Sequence, residues 1–371
     1  MLVQHASCKA GKHGFHPFSL VQEPGRKDRQ NVQVVLLLFH SFMAGRRVDK
    51  MKQYYLIMDI GMTKTTCALF TTDGICVDDY FYVIPSQTAF GAEAVLANTK
   101  NALDHILEHF KVDPGSVAGI GVGGPGPLDA ARGVIIDSPM MGVKNFAMAD
   151  RLREIYHVPV AMDNDGNLGA LAEQRCGVAK GMSNVLYMTV STGCGGGAVL
   201  NGQIHRGSHY SAAEFGHISI DPEGEKCPCG NRGCVEMLAS GTAITRRMRA
   251  DLLAGKKSMA FEAAGYDPDK VKGALLTEAA AAGDEYALAF YRQEGRYLGQ
   301  ALAVYFNCFD PDVFVLGGGV TKARAYFHEE MMRELRERAI MDVPDDRVKY
   351  SVMNDRVVAY GAYYLIKEQT A

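Results

Sequence analysis

No tryptophan occurs in the 371 residues of this chain, so no site it builds can use an indole. An excess of charge is missing too. The net charge of −3 offers no electrostatic footprint for nucleic acid or for a membrane surface. The apolar run near the start, VVLLLF, is too short to span a bilayer. It also lies too far from the terminus, beyond scattered charges, to read as a signal peptide. Nine cysteines are too few for a disulfide scaffold in a chain this long, and an odd number cannot all pair. Together these absences predict a soluble protein of a reducing cytoplasm, with no membrane and no nucleic acid among its partners.

What is present is ordinary in bulk and uneven in detail. Hydrophobic residues make up 47% and charged residues 22%, enough for a sizeable core. The length suggests about two domains of ~150 residues each. Forty glycines cluster in GIGVGGPG, STGCGGG and LGGG, a pattern that predicts loops approaching a ligand closely. The first fifty residues differ from the rest, with eight Lys/Arg against three Asp/Glu. Residues 1–50 are expected to be a disordered or non-native extension. Translation is expected to start at Met51, with Arg46-Arg47 encoded by a purine-rich, ribosome-binding sequence.

From Tyr54 the pattern turns regular. YYLIMDI reads as a buried strand, TTCALFTTDG as a second strand closed by a turn at Asp73-Gly74, and residues 92–111 as a helix. VAGIGVGGPGPLD and VPVAMDND each read as a strand running into a polar or Gly/Pro tip, and GNLGALAEQRCG as a helix ending near Gly177. NVLYMTVSTGCGGGAVLNGQI then repeats the opening unit of strand, small polar turn and strand, which predicts a duplicated α/β lobe. Two unrelated hairpins are the alternative. The remainder reads as largely helical to Phe309, then as strand, glycine turn and helix in DVFVLGGGVTKA, with a final helix from Tyr360.

The two hairpin turns carry the first chemical signal. Asp59 ends a strand, and Gly61, Thr63, Lys64 and Thr65 supply small residues and donors that can face a phosphate. The spacing of a P-loop is absent. Ser191, Thr192, Gly193 and Gly195 repeat the arrangement. One hairpin in each lobe is what a nucleotide held in a cleft between lobes requires. Gly318 and Gly319, in LGGG, read either as an approach point for a purine or phosphate or as an ordinary tight turn. In DNDGN, Asp165 is the candidate base for a hydroxyl attacking ATP, and Asn164 a substrate hydrogen-bonder. An Asx-turn that merely caps the helix is the competing reading.

Cys227, Cys229 and Cys234 lie within KCPCGNRGCVEM, ten residues or more after His217 of EFGH. One imidazole and three thiolates match a closed tetrahedral zinc site, structural because no position is left open for water. That closure also argues against a zinc-dependent hydrolase. Glu214 and Glu236 flank the ligands and can be aimed at one point, where sugar hydroxyls are natural partners for carboxylates.

These residues together resemble the ROK family (repressor, open reading frame, kinase), over nearly all of the chain from Met51. The most specific match is Glu214-Phe-Gly-His217 followed by Cys227-Pro-Cys229-Gly230-Asn-Arg-Gly233-Cys234-Val-Glu236. The resemblance implies an α/β, two-lobed actin-like ATPase (ribonuclease H-like) duplicated fold with an interlobe cleft and a small zinc-binding loop over 217–236. Residues 51–168 plus 356–371 would form the small lobe and 169–355 the large one. It implies MgATP as phosphoryl donor, with Asp59 near Mg2+, Thr192 and Gly193 in the second phosphate motif, and Gly318 and Gly319 in the adenosine motif. Asp165 would activate the 6-hydroxyl of the sugar. Gly124 and Pro125 would flank the sugar, and Asn164, Glu214, His217 and Glu236 would bind it, His217 also holding structural Zn2+. Relatives of this kind imply a homodimer.

Two departures touch specificity. Ser138-Pro139-Met140-Met141-Gly142-Val143-Lys144-Asn145 has Met140 where family glucokinases place a sugar-binding Asn, and Val143 in place of Trp. A methionine cannot donate to a hydroxyl, so an N-acylhexosamine or another hexose competes with glucose as substrate. Gly166 stands where alanine is usual, a change expected to be tolerated. The functional expectation is ATP-dependent phosphorylation of a hexose or N-acylhexosamine at the 6-hydroxyl. The alternative is a sugar-responsive regulator without kinase activity. No two-helix pattern in the first fifty residues supports a DNA-binding head.

Overall fold

A computed structural model describes residues 53–61, 63–138 and 142–371. The expectations for residues 1–50, for a start at Met51 and for Met140 lie outside these. The described chain begins with β1 (Tyr54–Ile60), β2 (Lys64–Thr71), β3 (Cys76–Pro85) and helix α1 (Ala92–His109). Next come β4 (Val117–Gly124), β5 (Leu128–Asp129), β6 (Val134–Ser138), β7 (Val143–Phe146), α2 (Met148–Tyr156), β8 (Val160–Asn164) and α3 (Asp165–Cys176). After these follow β9 (Val185–Val190), β10 (Cys194–Leu200), β11 (Gln203–Ile204), α4 (Val235–Ala239), α5 (Gly241–Leu253), α6 (Met259–Ala263), α7 (Gly273–Ala281) and α8 (Glu285–Phe309). The chain ends with β12 (Val313–Gly317), α9 (Arg324–Arg338), β13 (Val348–Tyr350) and α10 (Val357–Thr370).

Two five-stranded sheets share one design. The first runs β3-β2-β1-β4-β8 and the second β11-β10-β9-β12-β13. In each, the central strand pairs antiparallel with its hairpin partner and parallel with the strand on its other side. The strand orders match position for position, as a duplicated α/β unit requires. Strand periodicity explains how each sheet is covered. Leu56, Met58 and Ile60 of β1 face α1, while Tyr55 and Ile57 pack on α10. In β9, Leu186, Met188 and Val190 face the helical layer of α5 to α9, while Val185 and Tyr187 pack on α3. Helices α10 and α3 therefore lie back to back between the sheets. They cross at Gly361, where an added Cβ would sit 2.1 Å from the Leu168 carbonyl.

Gly119, Gly121 and Gly123 of β4 serve this packing, a role that the expectation drawn from GIGVGGPG did not include. A Cβ at Gly121 would lie 2.2 Å from the Ala362 carbonyl, and one at Gly123 would lie 2.4 Å from Val358. The C-terminal helix docks this closely because β4 has no side chains there. Strand β3 lacks a clear hydrophobic alternation because it is an edge strand, and Asp78 and Asp79 break it with positive φ. Periodicity alone therefore does not mark it. The small β5-β6-β7 sheet and the short β13 are likewise too brief to register as patterns.

Candidate active site

Strands β1, β4 and β8 run parallel, and their C-terminal ends bring Asp59, Gly124 and Asn164 to one edge of the first sheet. Gly124 pairs in register with Asn164. The Asn164 side chain has two tasks. Its Oδ1 accepts from the Asn167 N–H at 3.1 Å and caps α3, while its Nδ2 faces the Gly126 backbone of the GGPGP loop. Capping therefore uses the carbonyl end of this amide and leaves donors toward the loop. Asp165 is not the capping residue. Its Oδ1 accepts from the Gly166 N–H at 2.8 Å.

The carboxylates sense one another. Asp59 is half-buried, and its pKa is pushed up to about 7, by burial first and then by the charge of Asp165, against the pull of Lys64. Asp165 and Glu214 keep surface open to solvent, yet enough protein surrounds them for desolvation to raise both. Glu214 is lowered by His217 and raised by Asp165 and Glu236. Asp165 thus lies within electrostatic reach of both Asp59 and Glu214, and Glu214 within reach of His217 and Glu236. A half-buried carboxylate with the charges of Asp165 and Asp355 nearby suits a divalent cation, so the surroundings of Asp59 fit Mg2+.

Other expected phosphate-turn residues are placed less directly. The Lys64 Nζ pairs with Asp355 at 2.6 Å. Thr65 is fully buried with its hydroxyl against Ser86 at 2.9 Å, and in β2 it pairs with Ile60 of β1 and Ile84 of β3. Thr63 is exposed, and Gly61 closes the turn by donating to the Lys64 carbonyl at 3.0 Å.

The second hairpin is tied to the cysteine loop. Glu236 Oε2 accepts from the Cys194 N–H at 2.9 Å, and a Cβ at Gly193 would lie 2.5 Å from that same oxygen. Only glycine at 193 lets this carboxylate approach. Thr192 and Gly319 line one cavity of about 900 Å3, which also takes in α5, α7 and the turn after β12. That volume suits a nucleotide-sized ligand. Gly318 does not line it; with φ of 88° it lets the turn pass over the end of β9, where a Cβ would meet the Val190 carbonyl at 2.3 Å.

The cavity contains cations that motif reasoning missed: Arg246, Arg249 and Lys322. Arg246 is anchored to the Met237 carbonyl at 2.5 Å and to Glu225 at 2.8 Å. Arg249 lines the cavity beside it, and its buried Nε has no hydrogen-bond partner among the described residues. TRRMR, within α5, is the signal for them, but in one dimension it reads as an ordinary solvated helix face.

His217, Cys227, Cys229 and Cys234 each offer a ligand atom, and these atoms lie within 4.8 Å of one another. The Cys227 Sγ to His217 Nδ1 and Cys229 Sγ to Cys234 Sγ separations are both 3.7 Å. Ligands at zinc bond lengths around a tetrahedron stand about 3.6–3.8 Å apart. All three cysteines are free thiols. The donor set and its spacing fit Zn2+, and Nδ1 facing the thiols leaves Nε2 of His217 for another partner. Gly233, with φ of 59°, lies so close to the Asp221 carbonyl that a Cβ would sit 1.7 Å from it. The loop folds back tightly enough to gather the thiols because that residue has no side chain.

Residues 55–369 match the ROK family. The chain is 34% identical over 320 residues to a glucokinase of Halalkalibacterium halodurans, covering 85% of this chain and 96% of that protein. It is also 27% identical to the xylose repressor of Bacillus subtilis, covering 78% of this chain and 70% of the repressor. Among solved structures, a ROK family glucokinase from Streptomyces griseus in complex with glucose and AMPPNP matches with a TM-score of 0.72 and 28% identity. That match covers 85% of this chain and 99% of the other.

Proposed function

Because this chain belongs to the ROK family, which holds both sugar kinases and repressors, we propose that it is an ATP-dependent sugar kinase acting on the 6-hydroxyl of a hexose or N-acylhexosamine. One observation carries the reading. Asp165 lies within electrostatic reach of Asp59 and of Glu214, while Glu236 touches the hairpin whose Thr192 lines the large cavity. These relations support a proton acceptor beside sugar-binding carboxylates, with Glu236 linking them to the hairpin that borders a nucleotide-sized pocket. A repressor needs only the sugar-binding part of that set.

Asn164, Glu214, His217 and Glu236 bind the sugar hydroxyls, with Gly124 and Pro125 beside the ring. Thr192, Gly193 and Gly319 approach the nucleotide, joined by Arg249, while Gly318 shapes the turn that carries Gly319. The 6-oxygen attacks the γ-phosphorus, the new O–P bond forms as the bond to the β-phosphate oxygen breaks, and ADP leaves. Asp165 takes the hydroxyl proton. The raised pKa of Asp165 suits this task, because a stronger base accepts a proton more readily. Asp59 is the residue to hold Mg2+, which when bound offsets charge on the phosphates. Zn2+ in the 217–234 cage holds Glu214, His217 and Glu236 in their mutual positions, and the chain acts as a homodimer in the cytoplasm.

The test is ADP release over glucose, N-acetylmannosamine, N-acetylglucosamine, mannose, allose and fructose. Asp165→Asn is expected to keep sugar affinity and to lose about 10²–10⁴-fold in turnover. Near-normal turnover by that variant would remove Asp165 from the mechanism. Sugar binding without ADP release on any substrate would favour the regulator.

A further inference from the structure

Asp163 is the carboxylate of the DNDGN turn that a ligand does not reach, for it is 1% exposed. Its Oδ1 accepts from the Asn164 N–H at 2.8 Å and from Asn167 Nδ2 at 2.9 Å. Its Oδ2 accepts from Arg206 Nε at 2.7 Å, with Nη2 of the same guanidinium at 2.6 Å. Burying a carboxylate costs free energy unless its oxygens are saturated, and here both are. The arrangement freezes the backbone that leads directly into Asn164 and Asp165.

The guanidinium comes from the other sheet. Asp163 lies in β8, an outer strand of the first sheet, while Arg206 follows β11, an outer strand of the second. Arg206 also begins the segment that leads to Glu214. Its carbonyl accepts from the Ala212 N–H at 3.2 Å, closing a turn that Gly207 enters with φ of 70°. One residue therefore grips the strand end that carries the base and shapes the turn that carries a sugar-binding carboxylate.

We propose that Arg206 is a positioning residue for phosphoryl transfer, holding the Asn164–Asp165 strand end in register with the Glu214 turn across the two sheets. The inference rests on the kinase reading above. Arg206 is not expected to touch the sugar or the phosphates. It acts by keeping base and sugar aligned, and an in-line transfer is sensitive to that alignment. Misplacement by ~1 Å can cost about 100-fold in rate. Lysine is an imperfect substitute, since a point-charge ammonium keeps the charge opposite Asp163 but cannot reproduce the planar fork.

The experiment compares wild type, Arg206→Met, Arg206→Lys and Asp165→Asn in the ADP-release assay on the same sugar, with sugar and nucleotide affinities from calorimetry and melting curves for each. Arg206→Met is expected to lower kcat by about 100-fold while ATP affinity stays within about twofold. Arg206→Lys should recover about tenfold of that loss, because the charge is kept. A wild-type chain that phosphorylates the sugar while Arg206→Met retains full kcat overturns the positioning role alone. Equal losses in the Met and Lys variants, with nucleotide affinity and melting temperature falling alongside kcat, overturn it in favour of a purely structural pair. A wild-type chain that phosphorylates no sugar overturns the kinase reading and this role with it.

Discussion

Asp165 and Gly166 are neighbours under opposite constraints. Asp165 must be ionised to accept a proton, and desolvation by the protein around it raises its pKa above the ordinary aspartate value of ~3.9. Turnover is lost as pH falls through that raised value, because protonated Asp165 cannot act as base. We therefore expect the acid limb of a kcat–pH profile to inflect clearly above pH ~4. An inflection at the ordinary value would detach the limb from this residue. Gly166 is limited by space. A Cβ there would lie 1.9 Å from the Gly196 carbonyl, a backbone atom that cannot swing aside. The expectation that glycine is tolerated at this position needs sharpening: here glycine is what the packing of α3 on β10 requires. Gly166→Ala should destabilise the fold by about 1–3 kcal/mol, read from urea unfolding.

At the scale of elements, the cysteine loop is joined to its surroundings at defined points. Cys234 is the N-cap of α4, whose second residue is Glu236, and Glu236 accepts from the second hairpin at Cys194. The loop also begins at His217, three residues after Glu214. Disturbing the cage should move both carboxylates before it disturbs the cavity beside α5 and α7. Chelating the metal from a folded sample is expected to weaken sugar binding by about 10–100-fold, the usual scale for disturbing the shell around a metal site. Nucleotide affinity should change far less. Calorimetric titrations with each ligand, before and after chelation, measure this, and unchanged sugar affinity would reduce the cage to a staple.

At the scale of the whole molecule, the two sheets are joined at identifiable points. Helices α3 and α10 lie between the sheets, Arg206 reaches from one sheet to the other, and Glu236 joins the sugar-binding group to the second hairpin. A ligand that orders one region should therefore favour binding at the other. Sugar and a non-hydrolysable ATP analogue added together should raise the melting temperature by more than the sum of their separate effects. Strict additivity in a thermal-shift titration would show that the two regions are energetically independent.

Much of this was legible in one dimension. The paired hairpins, the DNDGN strand tip and the His–Cys spacing are local patterns, because a strand's alternation, a turn's small residues and a metal loop's ligands are set by neighbours along the chain. Duplication was legible for the same reason, since two similar runs predict two similar units. The tertiary structure alone decided what those residues face. It turned the Thr65 hydroxyl into the core, assigned Gly119, Gly121 and Gly123 of β4 to helix docking, brought Arg246 and Arg249 to a cavity, and set Arg206 against Asp163. Each of these depends on residues far apart in sequence, and only packing, which joins distant segments, determines which of them meet.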